Sequence, residues 1–479
     1  MLPARLILRT RRNACAVLLS AWSSCGWTGT IAPDLQRLMD ARGTHADTSV
    51  IVRFSDAADL ASVAVTDRRQ RDNRVMLALQ AASAKNMTAL KPVLTALEAT
   101  RIKNLWLINA VAVTLPAIAV QKLAQHPAVA TIDRDAQIQS GRSQRTPAMR
   151  TEPPEQATPT DSADSVAPDV TRASGTLPNW NIQAVHAPEV WAKGFTGKGV
   201  VVAGMDTGVD FQHPLLRQKW RGGANSWFDP RGEWSTPYDP SGHGTQAMGV
   251  VLAEPDVGVA PDARWIAARL YDAQGRASMS DIHLAFQWLL DPDGDPATRD
   301  APDIVNASWA LTGRVPGSCI LEFDQDIRAL KAAGIAVVFA AGNDGPNPGS
   351  SSSPGNNPGV LSVGAIDRTM EIARQTSRGP SACDGAVFPT LLAPGVNIRT
   401  TDLSHGGMVA YTSVSGSSLA APHVSGVLAL LIGAFPSASV AELEAALVTK
   451  KSDSDSVRLD AMASFQYLQN VLKPGLIGN

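Results

Sequence analysis

Between about Trp180 and Leu447, continuous apolar runs alternate with stretches that carry the apolar spacing of helices. The apolar runs have the character of strands buried on both faces of a parallel sheet, and they are Val200–Met205, Trp265–Leu270, Ile304–Asn306, Ile335–Ala341 and Val360–Ala365. Helical patterns lie between or after them at Met279–Leu290, Phe323–Ala333 and Leu419–Phe435. This alternation predicts an α/β fold with a doubly wound, mainly parallel sheet over residues 179–475, with its chemistry at the carboxyl ends of the strands.

A smaller pattern precedes it over residues 46–139. Strand-like segments alternate with helical ones in the order Val50–Phe54, Met76–Leu97 (interrupted at Pro92), Leu105–Leu115, Ala117–Gln125 and Val129–Ile132. They predict an α+β domain of about 90 residues, which is large enough to fold alone. This segment contains no residue group that resembles a catalytic site.

Residues 1–26 and 140–178 differ in composition from both predicted domains. Arginines precede the apolar stretch Ala14–Trp22 and small residues follow it, which is the layout of a cleaved signal peptide. Residues 140–178 combine prolines with Ser, Thr, Asp and Glu, so they predict a flexible and cleavable linker. We therefore expect a secreted or periplasmic protein.

The charge balance does not indicate a nucleic-acid partner. Lys and Arg total 42 against 44 Asp and Glu, which gives a net charge of −2 and no basic field to attract phosphates. The apolar stretch Ala14–Trp22 is far shorter than the roughly 20 residues that cross a bilayer. We expect no nucleic-acid partner, no membrane span and a monomer.

The four cysteines fall into two groups. Cys15 and Cys25 belong to the amino-terminal leader, and Cys319 and Cys383 to the main body. An oxidising compartment permits Cys319 and Cys383 to pair, but the sequence does not reveal whether they approach closely enough. The pairing is therefore left open, as is lipidation of Cys25.

Three polar residues stand where the predicted sheet places chemistry. Asp206 directly follows the strand Val200–Met205, His243 precedes a predicted helix at Thr245–Leu252, and Ser418 begins the last apolar helix. An alcohol becomes a nucleophile when an imidazole takes its proton, and a carboxylate orients that imidazole and stabilises its charged form. The three residues supply these three roles.

In the chain order Asp, His, Ser, the sequence resembles the subtilisin-like serine peptidases. The family pattern Gly-Thr-Ser-Met-Ala-x-Pro is matched by Gly416-Ser-Ser-Leu-Ala-Ala-Pro422. Chemistry alone leaves Ser417 and Ser418 as alternatives, and the family register, with its serine four residues before the proline, implies Ser418. The segments Trp180–Trp191 and Val257–Arg269 are most similar to the bacillopeptidase F-like branch.

The resemblance also implies an oxyanion donor and a substrate site. Asn343, in Ala340-Ala-Gly-Asn-Asp-Gly345, matches the family loop whose Asn amide donates to the oxyanion. The segment Asn306-Ala-Ser-Trp-Ala310 matches the strand whose backbone pairs with a peptide substrate, with Ala310 replacing the usual Gly. The resemblance therefore implies substrate contacts at the following residues: Ser308, Trp309, Ala310, Ala340, Ala341 and Gly342.

By this resemblance, the expected function is that of a serine endopeptidase that is made as a zymogen and acts on proteins or peptides. Residues 46–139 are similar to the inhibitory propeptides of the family through Leu123–Ile132, so the chain is expected to carry its own inhibitor. The alternative is a catalytically silent subtilisin-like fold that acts as a protein-binding module. The presence of Asp206, His243, Ser418 and Asn343 argues against it.

No metal ligand and no cofactor are expected for catalysis, and the resemblance allows a structural calcium site. Asp291, Asp293 and Asp295 imitate the start of a calcium loop. Pro296 and Pro302 stand where an EF-hand needs its Gly and its Glu, so a solvated acidic loop is predicted there.

Overall fold

The computed structural model of the chain describes residues 29–55, 74–139, 179–311, 317–404, 406–449 and 456–472. The predicted signal peptide and linker, residues 1–26 and 140–178, lie outside the described residues. The described residues form an amino-terminal unit, residues 29–139, and a carboxyl-terminal unit, residues 179–472.

The amino-terminal unit is a five-stranded sheet with helices on one face. Its elements are β1 (Thr30–Ile31), α1 (Pro33–Arg42), β2 (Asp47–Phe54), α2 (Arg74–Ala96), β3 (Thr100–Leu105), β4 (Ala110–Pro116), α3 (Ala117–Leu123), β5 (Val129–Arg134) and β6 (Gln137–Gln139). The strand order is β1-β5-β2-β4-β3, and β6 lies outside this sheet. The unit extends beyond the predicted residues 46–139, because β1 pairs with β5 and α1 packs beside it.

Two details of this unit differ from the sequence-based expectations. The single strand predicted at Leu105–Leu115 is instead the end of β3, a short 3₁₀ turn at Trp106–Ile108, and the antiparallel strand β4. The turn is as apolar as the strands, so hydrophobicity alone does not reveal it. Helix α2 also continues through Pro92 rather than breaking there.

The sheet of the amino-terminal unit is buried on both faces. Side chains alternate between the faces of a strand, so Val50 and Val52 of β2 pack against this unit's own helices. Ile51 and, on β4, Ala112 point the other way, into a core that is shared with the carboxyl-terminal unit. Because both faces of β2 are covered, apolar side chains occupy consecutive positions in this strand.

The carboxyl-terminal unit contains an eight-stranded parallel sheet with the order β17-β14-β13-β12-β11-β7-β9-β8. Its strands, with the hairpin β15–β16 and the short β10, are β7 (Val201–Asp206), β8 (Trp227–Phe228), β9 (Arg264–Arg269), β10 (Arg276–Ser278), β11 (Ile304–Ala307), β12 (Ala336–Ala340), β13 (Leu361–Ile366), β14 (Leu391–Pro394), β15 (Ile398–Thr401), β16 (Tyr411–Val414) and β17 (Val457–Arg458). Its helices are α4 (Trp180–Ala184), α5 (Ala187–Trp191), α6 (Pro214–Arg217), α7 (His243–Leu252), α8 (Met279–Leu290), α9 (Asp324–Ala332), α10 (Ser417–Ala434), α11 (Val440–Leu447) and α12 (Ala461–Val471). The predicted fold class is confirmed.

Helices cover both faces of this sheet, as a doubly wound fold requires. On β7, Val202 faces the layer that contains α7 and α10, whereas Ala203 and Met205 face the layer of α8 and α9. Helix α10 lies in the core, and Gly426 permits its close approach to α7 and the segment that follows it, since a Cβ there would stand 2.5 Å from Val259 Cβ and 3.3 Å from Val251 O of α7. Among the described residues α10 alone is long and apolar enough to cross a membrane, but it is 83% buried, as the core helix of a soluble domain would be.

The amino-terminal unit packs on α8 and α9 through apolar and polar contacts. Strand β6 pairs antiparallel with β10, and Asp135 accepts hydrogen bonds from Ser280 N (2.9 Å) and Ser280 Oγ (2.7 Å) in the first turn of α8. Lys103 Nζ lies 2.8 Å from Asp281 Oδ1. Buried apolar side chains of both units, among them Leu107 and Phe286, form one continuous cluster.

A disulfide joins Cys319 to Cys383, which answers the question that the sequence left open. Loop 379–386 is also held by hydrogen bonds, such as the one from Ser381 Oγ to Asn356 O (2.9 Å). The cross-link closes a loop with a sequence separation of 64 residues. It therefore restricts the unfolded chain substantially.

We expect replacement of both cysteines, Cys319→Ser with Cys383→Ser, to lower the unfolding free energy by up to about 4 kcal/mol, because the unfolded chain regains loop entropy. For a domain of this size the midpoint of thermal unfolding should fall by roughly 5–10 °C. Calorimetry of both proteins with and without dithiothreitol tests this. A reductant that lowers the midpoint of the double variant as much as that of the parent would contradict the assignment.

Candidate active site

The side chains of Asp206 and His243 meet at the carboxyl edge of the sheet. Asp206 is the last residue of β7 and His243 the first of α7, and His243 Nδ1 lies 2.7 Å from Asp206 Oδ1. The same carboxylate oxygen accepts from Thr207 N (2.7 Å), and Thr207 Oγ1 accepts from Gly244 N (2.9 Å). These bonds tie the end of the strand to the start of the helix, so the imidazole is held in one orientation.

The electrostatics of His243 favour a protonated imidazole. Burial alone lowers the pKa of His243, but the Asp206 carboxylate outweighs that effect, with a smaller contribution from Asp239, and the pKa lies above its ordinary value of 6.5. The Asp206 side chain is 4% exposed, so its charge acts with little solvent screening. A base whose charged form is stabilised in this way is suited to accepting a proton.

Asp239 shapes the loop that delivers His243, a role that motif reasoning did not assign. Its Oδ1 accepts from Ser241 N and Gly242 N (both 2.9 Å), and its Oδ2 accepts from Thr245 N (2.9 Å) and Thr245 Oγ1 (2.7 Å). A buried carboxylate with four donors fixes the entry to α7. An Asp four residues before a Gly-rich helix start was the available signal for it.

Ser418 lies in the first turn of α10, and its carbonyl is held from below. Ser308 Oγ donates to Ser418 O (2.8 Å) and accepts from Asn306 Nδ2 (2.9 Å), while Asn306 Oδ1 accepts from Ser425 Oγ (2.9 Å). This buried chain of polar groups connects β11 with two turns of α10. It fixes the height of the helix start relative to the sheet.

The side chains of Asn343 and Ser418 lie close to each other, on the two sides of Gly416. Asn343 Oδ1 accepts from Ser417 N (2.9 Å), which leaves Nδ2 as the free donor, and Gly342 N donates to Ser417 Oγ (3.2 Å). A Cβ added at Gly416 would lie 3.1 Å from Ser418 Oγ and 3.4 Å from Asn343 Nδ2. A hydroxyl and an amide donor therefore lie side by side at the amino terminus of α10, where the first-turn N–H groups have no partner within the helix.

Two of the three side chains in the predicted substrate segment 308–310 are buried and engaged within the protein. Ser308 is 3% exposed and engaged with Ser418, and Trp309 packs edge-on against Phe323 and Phe339 in the core. Only the backbone of this segment and the half-buried Ala310 remain to contact a peptide. The expectation of backbone pairing thus stays a prediction.

The second predicted substrate segment follows β12. Ala340 and Ala341 are buried, and Gly342 has a φ of +98°. A Cβ at Gly342 would lie 2.7 Å from Ser352 Oγ and 2.8 Å from Ser377 Oγ, so the turn requires glycine. The turn carries the chain from the sheet to Asn343.

His423 is near Ser418 in sequence but belongs to the core. Its Nδ1 lies 2.7 Å from Leu419 O and its Nε2 2.9 Å from Asn181 Nδ2. Burial lowers the pKa of His423 to about 4, so the imidazole is neutral, donating to the carbonyl and accepting from the amide. It is therefore a structural residue of the core.

Acidic side chains gather in the loop after α8. Ligand atoms of Asp291, Asp293 and Asp300 lie within 4.8 Å of one another, so Asp300, and not the Asp295 of the calcium-loop spacing, completes the cluster. Burial, followed by mutual repulsion, raises the pKa of Asp291. Asp293 is already hydrogen-bonded to Thr298 Oγ1 (2.9 Å), so the loop is an acidic cluster with its own internal donors.

We expect the pKa of His243, measured by NMR in 13C-histidine-labelled Ser418→Ala protein, to lie above 6.5 and to fall below 6.5 on Asp206→Asn substitution. Burial is then opposed only by the smaller effect of Asp239. Because the folded state binds this proton more tightly than the unfolded chain, the pair adds stability below pH 6.5 that is lost as the pH rises through the folded pKa. His423 is the internal control and should stay neutral in both proteins; an unchanged His243 titration in the variant would contradict the electrostatic assignment.

Comparison with known proteins identifies relatives of this chain. The chain is 38% identical to Bacillopeptidase F of Bacillus subtilis (strain 168) over 288 residues, covering 55% of this chain and 19% of that protein. It is 34% identical to Serine protease AprX of the same organism (52% of this chain, 61% of that protein) and 35% identical to Subtilisin Savinase of Lederbergia lenta (53% and 83%). The chain thus spans less than two thirds of the first two relatives. The Peptidase_S8 profile, described as the subtilase family, matches residues 197–467, and the chain belongs to the subtilase family.

Proposed function

We propose that this chain is a secreted serine endopeptidase made as a zymogen, which hydrolyses peptide bonds through an acyl-enzyme. The observation that carries the proposal is the 2.7 Å contact between Asp206 and His243 at the carboxyl edge of the sheet, where Ser418 Oγ and Asn343 Nδ2 also lie close to each other beside Gly416. The named relatives of the chain are peptidases, which supports the same chemistry.

In the proposed mechanism each side chain has one task. Ser418 Oγ attacks the peptide carbonyl while His243 Nε2 takes its proton, and His243 then returns the proton to the leaving amine. Asp206 keeps the His243 Nδ1 proton in place and stabilises the imidazolium that forms. A water molecule repeats the sequence on the ester and releases the acid.

Two donors stabilise the oxyanion of the tetrahedral intermediate. One donor is Asn343 Nδ2, which can point to the oxyanion because the Ser417 N–H binds the Oδ1 of the same amide. The other donor is the N–H of Ser418 at the start of α10. Both are fixed before a substrate arrives, so little reorganisation opposes the reaction. Donors of this kind are worth about 10²–10³ in rate, a magnitude measured on the equivalent Asn of subtilisin.

The pairing of β6 with β10 supports the direction in which a peptide lies. Along β6 the register runs from Gln137 opposite Ser278 to Gln139 opposite Arg276. A peptide in this position therefore runs, amino to carboxyl, from β10 toward the end of β9, where Leu270 N donates to Asp206 O (2.7 Å). Residues that pair with β10 thus precede the scissile bond.

The zymogen part of the proposal rests on the contacts of the amino-terminal unit. Its last strand, β6, occupies the β10 edge, and the chain then enters the predicted linker, residues 140–178. A peptide substrate and β6 would compete for the same backbone groups. The unit is therefore proposed to inhibit the enzyme until the linker is cut. Export to an oxidising compartment is consistent with the Cys319–Cys383 disulfide.

We expect Ser418→Ala to abolish casein hydrolysis, with a loss of about 10⁶-fold as when subtilisin loses its nucleophile. The matched control is Ser417→Ala, which keeps the nucleophile and loses only the hydroxyl that accepts from Gly342 N. A fluorophosphonate should label the parent and Ser417→Ala proteins but not Ser418→Ala, and only labelled forms should shed their first 140–180 residues by mass spectrometry.

Two results contradict the proposal in different ways. If the folded parent is neither labelled nor active, the binding-module alternative takes its place. If Ser418→Ala protein is processed as fast as the parent, the chain is matured by another peptidase and does not cleave itself.

We expect Asp135→Ala to weaken inhibition by the retained amino-terminal unit at least tenfold, since two hydrogen bonds from Ser280 to a carboxylate are lost. When the processed mixture of this variant is diluted, it should therefore regain activity at a total protein concentration at least tenfold higher than the concentration at which the parent mixture does. Asp40→Ala, in an exposed part of α1, is the control. Equal dilution curves for all three proteins would remove Asp135 from the docking site.

A further inference from the structure

An exposed aromatic pair stands on the loop that leads to His243. The rings of Trp234 and Tyr238 are stacked with centroids 4.0 Å apart and an interplanar angle of 22°. Trp234 is 43% and Tyr238 37% exposed, although large aromatic side chains usually bury most of their surface. The pair therefore offers an apolar surface to solvent beside the candidate active site.

Buried charges hold the loop that carries this pair. Arg269 is fully buried, and its guanidinium contacts Asp229 Oδ2 (3.1 Å) and Glu233 Oε2 (2.9 Å). Asp229 Oδ2 accepts from Trp234 N (3.2 Å), and the Trp234 carbonyl accepts from Trp227 Nε1 (2.8 Å). Such a scaffold presents the rings in a fixed position and spares them the entropy cost of ordering when a ligand binds.

The loop is also fixed directly against the catalytic segment. A Cβ at Gly208, two residues after Asp206, would lie 1.9 Å from the carbonyl oxygen of Tyr238, so these backbones are in contact. The residue after Tyr238 is Asp239, whose carboxylate orders the start of α7. The backbone of the loop that carries the aromatic pair thus adjoins the segment after Asp206 and leads directly into the start of α7.

The proposed path of the peptide passes the same loop. Arg231 donates to Leu270 O (2.8 Å) and Tyr271 O (3.1 Å), in the segment between β9 and β10. Arg231 also lines one crevice together with Gln137 of β6 and Ser278 of β10. A peptide that leaves β10 toward Ser418 therefore runs alongside this loop.

Side-chain alternation then decides which peptide residue meets the rings. In an extended peptide successive side chains point to opposite sides. The residue before the scissile bond is expected to face segments 308–310 and 340–342, so the preceding residue faces the His243 side, where Trp234 and Tyr238 lie.

We propose that Trp234 and Tyr238 form a specificity site for an aromatic or large aliphatic side chain at the second residue before the scissile bond. This inference rests on the proposed peptidase function. Contact of such a side chain with the stacked rings would favour its cleavage over that of an alanine peptide roughly three- to tenfold, the size of one aromatic contact.

The test compares kcat/KM for two peptides that differ only in Phe or Ala at that position. The enzymes are processed parent, Trp234→Ala, Trp234→Phe and a control, Ile372→Ala, which truncates an exposed apolar side chain on the loop after β13. The parent and Ile372→Ala should prefer Phe three- to tenfold, Trp234→Phe should keep at least half of that preference, and Trp234→Ala should lose it. A peptide-library digest analysed by mass spectrometry locates the preference along the substrate.

The outcomes separate this inference from the proposed function. If all four proteins react with the fluorophosphonate at equal rates and Trp234→Ala keeps the parent's Phe preference, the specificity site is overturned and the peptidase stands. A preference that follows Trp234 but falls after the scissile bond overturns the placement. If none is labelled, the peptidase function fails and the inference fails with it.

Discussion

Burial of helix α10 between the sheet and α7 is the constraint on which the rest of the carboxyl-terminal unit depends. The helix is apolar on all sides, and its contacts with β11 to β14 leave it one position. Its polar exceptions are paired: Ser425 binds Asn306, and Ser308 binds the Ser418 carbonyl. Buried polar groups need hydrogen-bond partners, so these bonds fix the position of α10 along its axis relative to β11, which apolar packing alone would not do. The position of Ser418 is thus a consequence of core packing.

Three histidines of the described residues, His243, His283 and His423, differ in charge because they differ in their partners. His243 and His283 have carboxylates on their ring nitrogens, whereas His423 has a carbonyl and an amide. Burial lowers the pKa of each, but Asp326 and Glu322 raise the pKa of His283 to about 9, while nothing comparable opposes burial at His423. The same side chain is therefore the proposed base at one site, a cation at another and a neutral hydrogen-bonding group at the third.

The sequence predicted most of the parallel sheet, because strands covered on both faces are continuous apolar runs that end at polar residues. It failed where a turn was as apolar as its neighbours, as at Trp106–Ile108 between β3 and β4. Nor did it reveal that the indole of Trp309 is packed in the core, although the expected backbone contact of Trp309 with a peptide stays a prediction. A motif specifies residue types along the chain, but the direction of a side chain follows from strand alternation and from what lies beneath. The motif did not assign a role to Asp239 for the same reason, because its hydrogen bonds to Gly242 N and Thr245 N form only in the folded loop.

The two units are physically coupled because they share one apolar core. Leu107 and Ile51 of the amino-terminal unit belong to the same cluster as Ile282 and Phe286 of α8. Separating the units would expose this surface on both, at roughly 25 cal/mol for each Å² of apolar area, so the polar contacts of Asp135 and Lys103 supplement a largely hydrophobic attachment. Hydrophobic attachment is non-directional, and it is the β6–β10 pairing that gives the docked unit its register. The strand that ends the amino-terminal unit therefore sets both where that unit sits and which backbone groups of the other unit it covers.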